Sequence, residues 1–531
     1  MNISASQRAL VMQGGALEAN ECYFSYSGVT INVMGDKAEI SMTDVSFSDI
    51  PSLPLTLADH TFDAKISLTR CKFLRNVGGA DFALTDSEIT LNDCQVAEMV
   101  AESGAQEPLR VSGGHLVIQK LRITSSQNCQ QAVFNCKSID ASQISMDASC
   151  AGGMTMTAPT ISIISSAFNS TQRGLLISSS SVSISKSTFW NSVNPITFRS
   201  IASGSSFVSD CQFRRTGPFT YIDYTHLVVW HGVVESCDFY STSNSALSFF
   251  GGMWEVHNVT VHSINDEGIQ WEVHAIRYRG FGDGSGSTSP PTELVISDCT
   301  INGASTIDDG AAVLAQYCDG VYIVGSTFTG NSARRGGAIY ASSVRNITIN
   351  DCSFDQNVAE DQGGAIYTVG HYYLQVDGCT LLNNEAAEAG SIYIEGADGG
   401  AAYLTSSSFV GTSSPLVYVD CNSFVQIDQI SMNPGDFFGF SCPDSSSCNA
   451  TIAFVEGDSI TITNPDLSLT DVVEGTCSVT GVILSKSHWL GWLTCAGLVV
   501  SVIIVLISIG IYTYKKERSM EHYMYEPANI N

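Results

Sequence analysis

The feature that most constrains this chain is an internal repeat in which a large apolar residue returns at a nearly constant interval. In clear copies it follows a cysteine by two positions, as in Cys71–Phe73 and Cys352–Phe354. Successive copies are 21 to 28 residues apart, except for one step of 40 residues from Val261 to Ile301. A recurring period of this length indicates a solenoid. The seventeen large residues, here called the anchors, are Phe24, Phe47, Phe73, Val96, Ile123, Met146, Phe168, Phe189, Phe213, Phe239, Val261, Ile301, Phe328, Phe354, Leu381, Phe409 and Met432.

We interpret this period as an all-β, right-handed parallel β-helix with about three short strands in each coil. Residues two apart on a strand face the same side, so the anchor and the residue two before it both face the core. A buried column of this kind favours a small apolar side chain, and free cysteine is one. We therefore predict buried thiols and not disulfides or zinc ligands, because the paired spacing of a zinc site is missing. The cysteines of this column are Cys22, Cys71, Cys94, Cys211, Cys237, Cys299, Cys352 and Cys379.

The single long step contains a segment, Arg279–Pro291, that is dense in glycine, serine and proline. Such a composition is typical of a loop. Solenoids carry insertions as loops on one face, which is often the binding face. We predict that one coil extrudes this segment sideways.

Three consecutive coils share a sharper motif, in which an FxxN-like segment precedes a GGAI-like segment. The copies are 328–331 with 336–340, 354–357 with 363–367, and 381–384 with 389–393. This pairing resembles the repeats of polymorphic outer-membrane proteins, within the wider pectin-lyase-like class of β-helices. The resemblance implies adhesion or surface display and transfers no catalytic residue. The chain departs from that family at its C-terminal end, where an apolar helical segment is predicted.

The repeated polar residues of this motif predict a structural ladder. Asn331, Asn357 and Asn384 recur at the period of the coil, so their amides are expected to stack at one turn and to bond to the next coil. Gly337 and Gly364 also lie one period apart, where we expect a bend that excludes a Cβ atom.

A membrane anchor is predicted near the C-terminus. Residues 489–514 contain no charged residue and would form a helix of roughly 39 Å, enough to cross a hydrocarbon core of about 30 Å. Tryptophans and tyrosines stand at both ends, and Lys515–Arg518 follows, which places the tail in the cytoplasm by the positive-inside rule. The predicted layout is a β-helix over 1–433, a membrane-proximal cap or stalk over 434–488, the transmembrane helix over 489–514 and a cytoplasmic tail over 515–531.

This layout predicts a single-pass type I protein of the plasma membrane with an extracellular β-helix. The first residues show no apolar stretch of a signal peptide. We expect that a leader precedes the given sequence, because Gln13–Leu17 is already a repeat motif. The alternative is a tail-anchored protein whose β-helix is cytosolic.

The charge balance limits the partners. The chain has 24 basic and 52 acidic residues and a net charge of −28, which argues against nucleic acid as a ligand. Extracellular glycans or proteins are left as partners, and no cofactor is predicted. Sequons at Asn169, Asn258, Asn346 and Asn449, and at Asn2, are candidate glycosylation sites.

One stretch has an unusual density of aromatic and imidazole side chains, and it is the candidate ligand-binding site. Tryptophan can stack on sugars, and histidine with carboxylates can bind metals, but no metal-ligand spacing is present. No metal site is therefore predicted. The candidate residues are Trp254, His257, His262, Trp271 and His274.

Catalysis is the weaker hypothesis. Asp308–Asp309 and His231–Gly232 resemble fragments of polygalacturonase motifs, but they occur in the wrong order and the other motifs are missing. We therefore predict a non-enzymatic surface protein that acts in adhesion or display by binding extended ligands such as glycans. The alternatives are a membrane-tethered polysaccharide lyase or glycoside hydrolase and a structural coat protein.

Overall fold

A computed structural model gives the architecture of the chain. It describes residues 2–4, 10–13, 15–25, 31–34, 37–50, 55–76, 80–97, 109–125, 132–148, 153–170, 173–192, 194–217, 219–222, 230–240, 245–262, 274–281, 291–411, 416–420, 423–428, 430–432, 438–441, 449–453 and 478–480.

The described chain is a parallel β-helix, as the repeat predicts. Most coils have three strands, and these strands pair in parallel with their counterparts in the neighbouring coils. Two successive coils have an additional short strand, Ser332–Arg335 and Val358–Gln362, and these two strands pair with each other in a separate small sheet. In one coil the three strands are Ile276–Arg279, Glu293–Ser297 and Thr300–Asn302. We call the three sides of the helix, in this order, the leading face, the middle face and the anchor face. Short strands with alternating inward and outward residues suit such a coil, because only one side of each strand meets the core.

The anchor-face strands form one sheet of 18 strands. They are Asn2–Ser4, Tyr23–Ser25, Ser46–Ser48, Lys72–Leu74, Cys94–Ala97, Leu121–Ser125, Ile144–Ala148, Ala167–Ser170, Thr188–Trp190, Gln212–Arg214, Asp238–Tyr240, Thr260–His262, Thr300–Asn302, Thr327–Thr329, Ser353–Asp355, Thr380–Leu382, Ser408–Val410 and Ser431–Met432.

The other two faces belong to one bent sheet of 33 strands. Its leading-face strands are Leu10–Gln13, Ile31–Met34, Leu55–Phe62, Ala80–Thr85, Leu109–Ser112, Ala132–Asn135, Met154–Thr157, Phe219–Ile222, Leu247–Phe250, Ile276–Arg279, Val313–Gln316, Ile339–Ser342, Val417–Asp420 and Phe438–Ser441. Its middle-face strands are Ala16–Asn20, Glu39–Thr43, Lys65–Thr69, Glu88–Asn92, His115–Ile118, Ser138–Ser142, Thr160–Ile164, Trp230–Glu235, Met253–His257, Glu293–Ser297, Gly320–Val324, Asn346–Asn350, Ser423–Asp428, Asn449–Ala453 and Ser478–Thr480. Four longer strands run across both faces: Arg173–Ser185, Asn194–Ser209, Ile366–Asp377 and Ile392–Thr405.

The predicted anchors form one continuous column. Each pairs with the next in direct register on the anchor face, from Phe24 to Met432. Phenylalanine rings in neighbouring coils stack with centroids 4.4 to 5.2 Å apart. Val261 pairs with Ile301, so the 40-residue step is a single coil, as predicted. Within that coil, residues 263–273 and 282–290 lie outside the described part.

The cysteine column is also confirmed. All eight predicted cysteines are free; Cys22 is half-buried and the other seven are buried. Their thiols donate hydrogen bonds to backbone carbonyls, as Cys71 does to Met42 at 3.5 Å and Cys379 to Ile349 at 3.5 Å. Burial beside a second thiol raises the pKa of Cys71 and Cys379, with the hydrogen bond from the neighbouring cysteine as the larger cause. These thiols therefore act as small core residues.

The predicted asparagines form a buried ladder at the turn after the anchor face. Asn331 donates through Nδ2 to Oδ1 of Asn357 at 2.9 Å, and Asn357 donates to Oδ1 of Asn384 at 3.0 Å. The same oxygens accept from the backbone amides of Asn331 and Asn357. Asn76 makes the equivalent bonds in an early coil, to the carbonyl of Phe47 and from the amide of Ile50. The turn is held together because each amide satisfies buried backbone groups of the adjacent coil.

The ladder asparagines do not themselves have the left-handed conformation. The left-handed residue stands directly before each ladder asparagine, at Gly330, Gln356 and Asn383, with φ of 60°, 55° and 51°. The asparagine is needed for its amide and not for its tolerance of positive φ. Gly337 and Gly364 lie at tight bends, where an added Cβ would come 2.2 and 2.1 Å from a backbone carbonyl oxygen of the next coil.

Strand pairing continues beyond the predicted end of the β-helix at residue 433. Phe438–Ser441 pairs with Val417–Asp420, and Asn449–Ala453 pairs with Ser423–Asp428. At least part of the segment predicted as a cap or stalk therefore continues the stack. The predicted transmembrane helix, 489–514, and the predicted tail lie outside the described residues, which themselves contain no helix with the length and apolar character that crossing a bilayer requires.

Candidate ligand-binding surface

The five candidate ligand-binding residues do not form one surface, because Trp254 points inward. It lies on the middle-face strand Met253–His257, its indole is fully buried, and it stacks on Phe249 with centroids 3.9 Å apart. Gly232 of the preceding coil makes room for it, since a Cβ there would lie 2.3 Å from the indole. The prediction that this tryptophan meets a ligand needs correction: it is a core residue, placed inside by its phase on the strand.

His274 is also a core residue, which corrects the second of the five predictions. Its ring is fully buried, and Nδ1 donates to the carbonyl of Gly310 at 2.9 Å. Burial lowers its pKa to about 4, so it is neutral near pH 7. His257 and His262 point outward from the same coil, on the middle and anchor faces. Trp271 lies outside the described residues.

On the middle face, His257 belongs to a polar cluster that spans three coils. Glu255 accepts a hydrogen bond from Nε2 of His231 at 2.7 Å through one oxygen and from Nε2 of His257 at 2.9 Å through the other. Nδ1 of His257 is bonded to the hydroxyl of Ser297 in the following coil. The hydrogen bonds from His257 and then His231 lower the pKa of Glu255. The carboxylate is thus held ionised, the reverse of what a general acid requires.

On the anchor face, His262 belongs to a straight row of outward side chains, one from each of six successive coils. Direct register joins them in order: Asn169, Trp190, Arg214, Tyr240, His262 and Asn302. We call these six residues the outer row. Tyr240 stacks on His262 with centroids 4.8 Å apart, and the guanidinium of Arg214 lies 5.1 Å from the other side of the same ring. Both faces of Tyr240 are therefore covered, and only its edge is open to a ligand.

The two fragments that resemble catalytic motifs lie in different parts of the fold. His231 is on the middle face and Gly232 points into the core, as alternation requires. Asp309 precedes the strand Val313–Gln316 three coils later, and its carboxylate is held by Arg334 and Arg335 with four bonds of 2.7 to 3.1 Å. Burial opposes ionisation of Asp309, but the hydrogen bonds from Arg335 and Arg334 outweigh it and lower the pKa.

Arg335 also supports a second aromatic stack, outside the coil, on the leading face. Its guanidinium lies 5.1 Å from the ring of Tyr340 and 5.0 Å from that of Tyr367. Tyr367 and Tyr393 continue the stack at 5.1 Å. These rings are almost fully buried, so this stack contributes packing and not an open surface.

The remaining predicted sites are distributed over the rod. Among the described residues no group of three or more histidine, cysteine or acidic side chains is arranged to hold a metal ion. Asn258 is exposed at a turn with φ of 49°, and its amide donates to Ser236. Asn169 and Asn346 are half-buried, and Asn169 is bonded to Asp147 and Asn191. The side chain of Asn449 lies outside the described residues.

Sequence reasoning found only His262 of the outer row as a ligand-binding candidate, although a signal for the other members was available. Each of its members directly follows an anchor, as Arg214 follows Phe213 and Tyr240 follows Phe239. Because neighbours on a strand point to opposite sides, the residue after a buried anchor must face out. Reading that position down the coils gives Trp190, Arg214, Tyr240 and His262 in sequence.

Comparison with known proteins agrees with the fold. Residues 245–465 match the family model described as a right handed beta helix region. No curated protein matches the chain. No solved structure matches it either.

Proposed function

We propose that this chain is a non-enzymatic, membrane-anchored β-helix that binds extended ligands such as glycans along its outer surface. The observation that carries the proposal is the outer row. It offers aromatic, cationic and amide groups at one per coil, and coils repeat at the inter-strand distance of about 4.8 Å. A linear ligand lying along the rod would meet one outward side chain at each step of that length.

The charge environment of the acidic candidates supports binding over catalysis. Glycoside hydrolysis uses two carboxyl groups, one of them with a raised pKa. Glu255 and Asp309 both have lowered pKa values and are held by basic partners. They are also on different faces and separate coils. Such carboxylates serve better as fixed hydrogen-bond acceptors than as proton donors.

The anchor part of the proposal rests on the charge-free segment 489–514 and the basic residues Lys515, Lys516 and Arg518 after it. A rod held at a membrane by its C-terminal end would display its faces to the surroundings. The tail-anchored alternative gives the opposite topology with the same helix.

Ligand binding is tested with the purified full-length chain on a panel of linear glycans. We expect binding that weakens on Tyr240→Ala and His262→Ala and that persists in Thr327→Ala, an outward position on the same face outside the row. Release of sugar ends from acidic polysaccharides would instead establish the lyase or hydrolase. Absence of binding to every glycan of the panel would reject the proposal in favour of a structural coat.

Topology is tested by protease treatment of sealed microsomes that carry the full-length chain, with a detergent control. We expect the β-helix to be digested only after detergent is added, which places it in the lumen. Digestion without detergent would establish the tail-anchored form and would remove the extracellular ligand from consideration.

A further inference from the structure

We propose that the ligand is an anionic glycan, and that Trp190, Arg214 and Arg215 bind its acidic sugar. This inference rests on the proposed function and names the ligand class for one section of the same surface. It follows from the local charge, from the lack of carboxylate partners among the described residues and from the position of an exposed tryptophan.

The local charge of this section is opposite to that of the chain. Residues 148–222 contain five basic residues and a single acidic one, Asp210, while the whole chain has a net charge of −28. The basic residues are Arg173, Lys186, Arg199, Arg214 and Arg215. A cationic belt on an acidic protein is a place where an anionic ligand can approach, because repulsion from the rest of the surface is offset there.

Seven basic residues elsewhere on the rod are paired with an acidic residue of another coil. Arg70 is paired with Asp44 at 2.6 Å, and Lys120 with Asp93 at 2.8 Å. Lys65, Arg75, Lys137, Arg334 and Arg335 have carboxylate partners as well. Within the described part of the chain, no carboxylate lies within 4.0 Å of Lys186, Arg199, Arg214 or Arg215, and these four side chains are exposed. Their charge is available to a ligand.

Two of these cations stand beside the exposed tryptophan. Trp190 and Arg214 are register partners on adjacent anchor-face strands, and Trp190 is 46% exposed. Arg215 follows at the turn, where φ of 51° redirects the chain, and its amide donates to the carbonyl of Tyr240. Asn191 occupies the same turn one coil earlier. An aromatic ring, an amide and two guanidinium groups are thus gathered on two coils.

This combination matches an acidic sugar. Guanidinium groups bind carboxylate and sulfate oxygens with charge-assisted hydrogen bonds. An exposed indole offers an apolar face to the C–H side of a pyranose ring, and the adjacent amide can bond to hydroxyl groups. A neutral glycan would use only the tryptophan and the amide. An acidic polypeptide would use the guanidinium groups and gain little from the indole.

The test measures binding of the full-length chain to three soluble polymers: a polyuronate, a sulfated glycan and a neutral glucan. We expect either acidic polymer, or both, to bind at least tenfold more tightly than the glucan and to weaken as ionic strength rises. The double variant Arg214→Gln and Arg215→Gln should lose at least tenfold in affinity, because charge-assisted bonds are lost. Trp190→Ala should weaken both acidic and neutral polymers.

The matched control is the double variant Lys120→Gln and Lys137→Gln, which removes the same net charge from ion-paired positions on earlier coils. It should retain binding. An equal loss of affinity in both double variants would overturn the inference, since net charge alone would then explain binding. Binding of polyglutamate as tightly as the acidic glycans would also overturn it. Tight binding of the neutral glucan without preference for acidic polymers would overturn the inference and leave the proposed function intact, whereas no binding to any glycan would reject both.

Discussion

Two buried histidines predict that this β-helix loses stability as the pH falls from neutral to about 4. His274 and His371 are fully buried, and burial lowers the pKa of each to about 4 from an ordinary value of 6.5. Neither ring nitrogen of His371 has a hydrogen-bond partner among the described residues. The unfolded chain therefore binds these protons at higher pH than the folded chain does. The stability that comes from keeping these two rings neutral is fully present above pH 6.5. It is lost as the pH falls from 6.5 towards the folded pKa near 4.

The size of the effect follows from the pKa difference. One unit corresponds to about 1.4 kcal/mol, so each histidine contributes a loss of about 2.5 kcal/mol at pH 4.5 relative to pH 7.5. The two carboxylates of the candidate surface whose pKa values are shifted add little in this interval. The pKa values of Glu255 and Asp309 are lowered, so their stabilisation is lost only below the ordinary carboxyl range near 4.

The perturbation is His371→Leu, which replaces a buried titratable ring with an apolar side chain. We expect it to reduce the pH 7.5 to 4.5 stability loss by about 2.5 kcal/mol, measured by amide hydrogen exchange along Ile366–Asp377 and by urea unfolding. Thr368→Val on the same strand is the control, because it removes a buried hydroxyl without a partner and leaves the titration intact. An unchanged pH dependence in His371→Leu would refute the reasoning.

Three further predictions, made with five substitutions, test the packing of the stack. Ser391 is buried with no partner for its hydroxyl among the described residues, and Ala365 holds the same place one coil earlier. Ser391→Ala should therefore stabilise the fold by about 1–2 kcal/mol, and Ala365→Ser should destabilise it by a similar amount. Urea unfolding measures both changes. Asn357→Ala should cost about 2–4 kcal/mol, because the carbonyl of Phe328 and the amide of Asn331 lose their partner, and faster exchange of that amide would report it. Gly364→Ala should lower the unfolding temperature far more than Gly303→Ala. An added Cβ at position 364 would lie 2.1 Å from a carbonyl oxygen, whereas at position 303 it would have no neighbour within 4 Å. Equal changes in the unfolding temperature would contradict this.

Much of the fold could be predicted because the repeat in the sequence has a direct physical cause. The anchor column and the cysteine column were both derived from spacing alone, and each corresponds to one inward position on one strand. Parallel stacking requires each coil to bring the same kind of residue to the same place, so the period survives in the sequence. The 40-residue step could be recognised as one coil for the same reason.

The candidate site could be predicted only in part. Composition drew attention to Trp254 and His274, but both point into the core. Successive side chains of a strand point to opposite sides, so residues that are clustered in the sequence are divided between the core and the surface. The outer row shows the converse, because its members are separated by 21 to 40 residues in sequence and adjacent in space.

The sequence by itself determined the period, the inward columns and the recurring asparagine of the turn, because each of these returns at the same position in successive coils. Only the tertiary structure decided which coil supplies a partner to each side chain. It placed a carboxylate beside Arg70 and none of the described ones beside Arg214, although both are arginines close to an anchor. Such pairing depends on the register between coils, which joins residues more than twenty positions apart, and no local pattern contains that information.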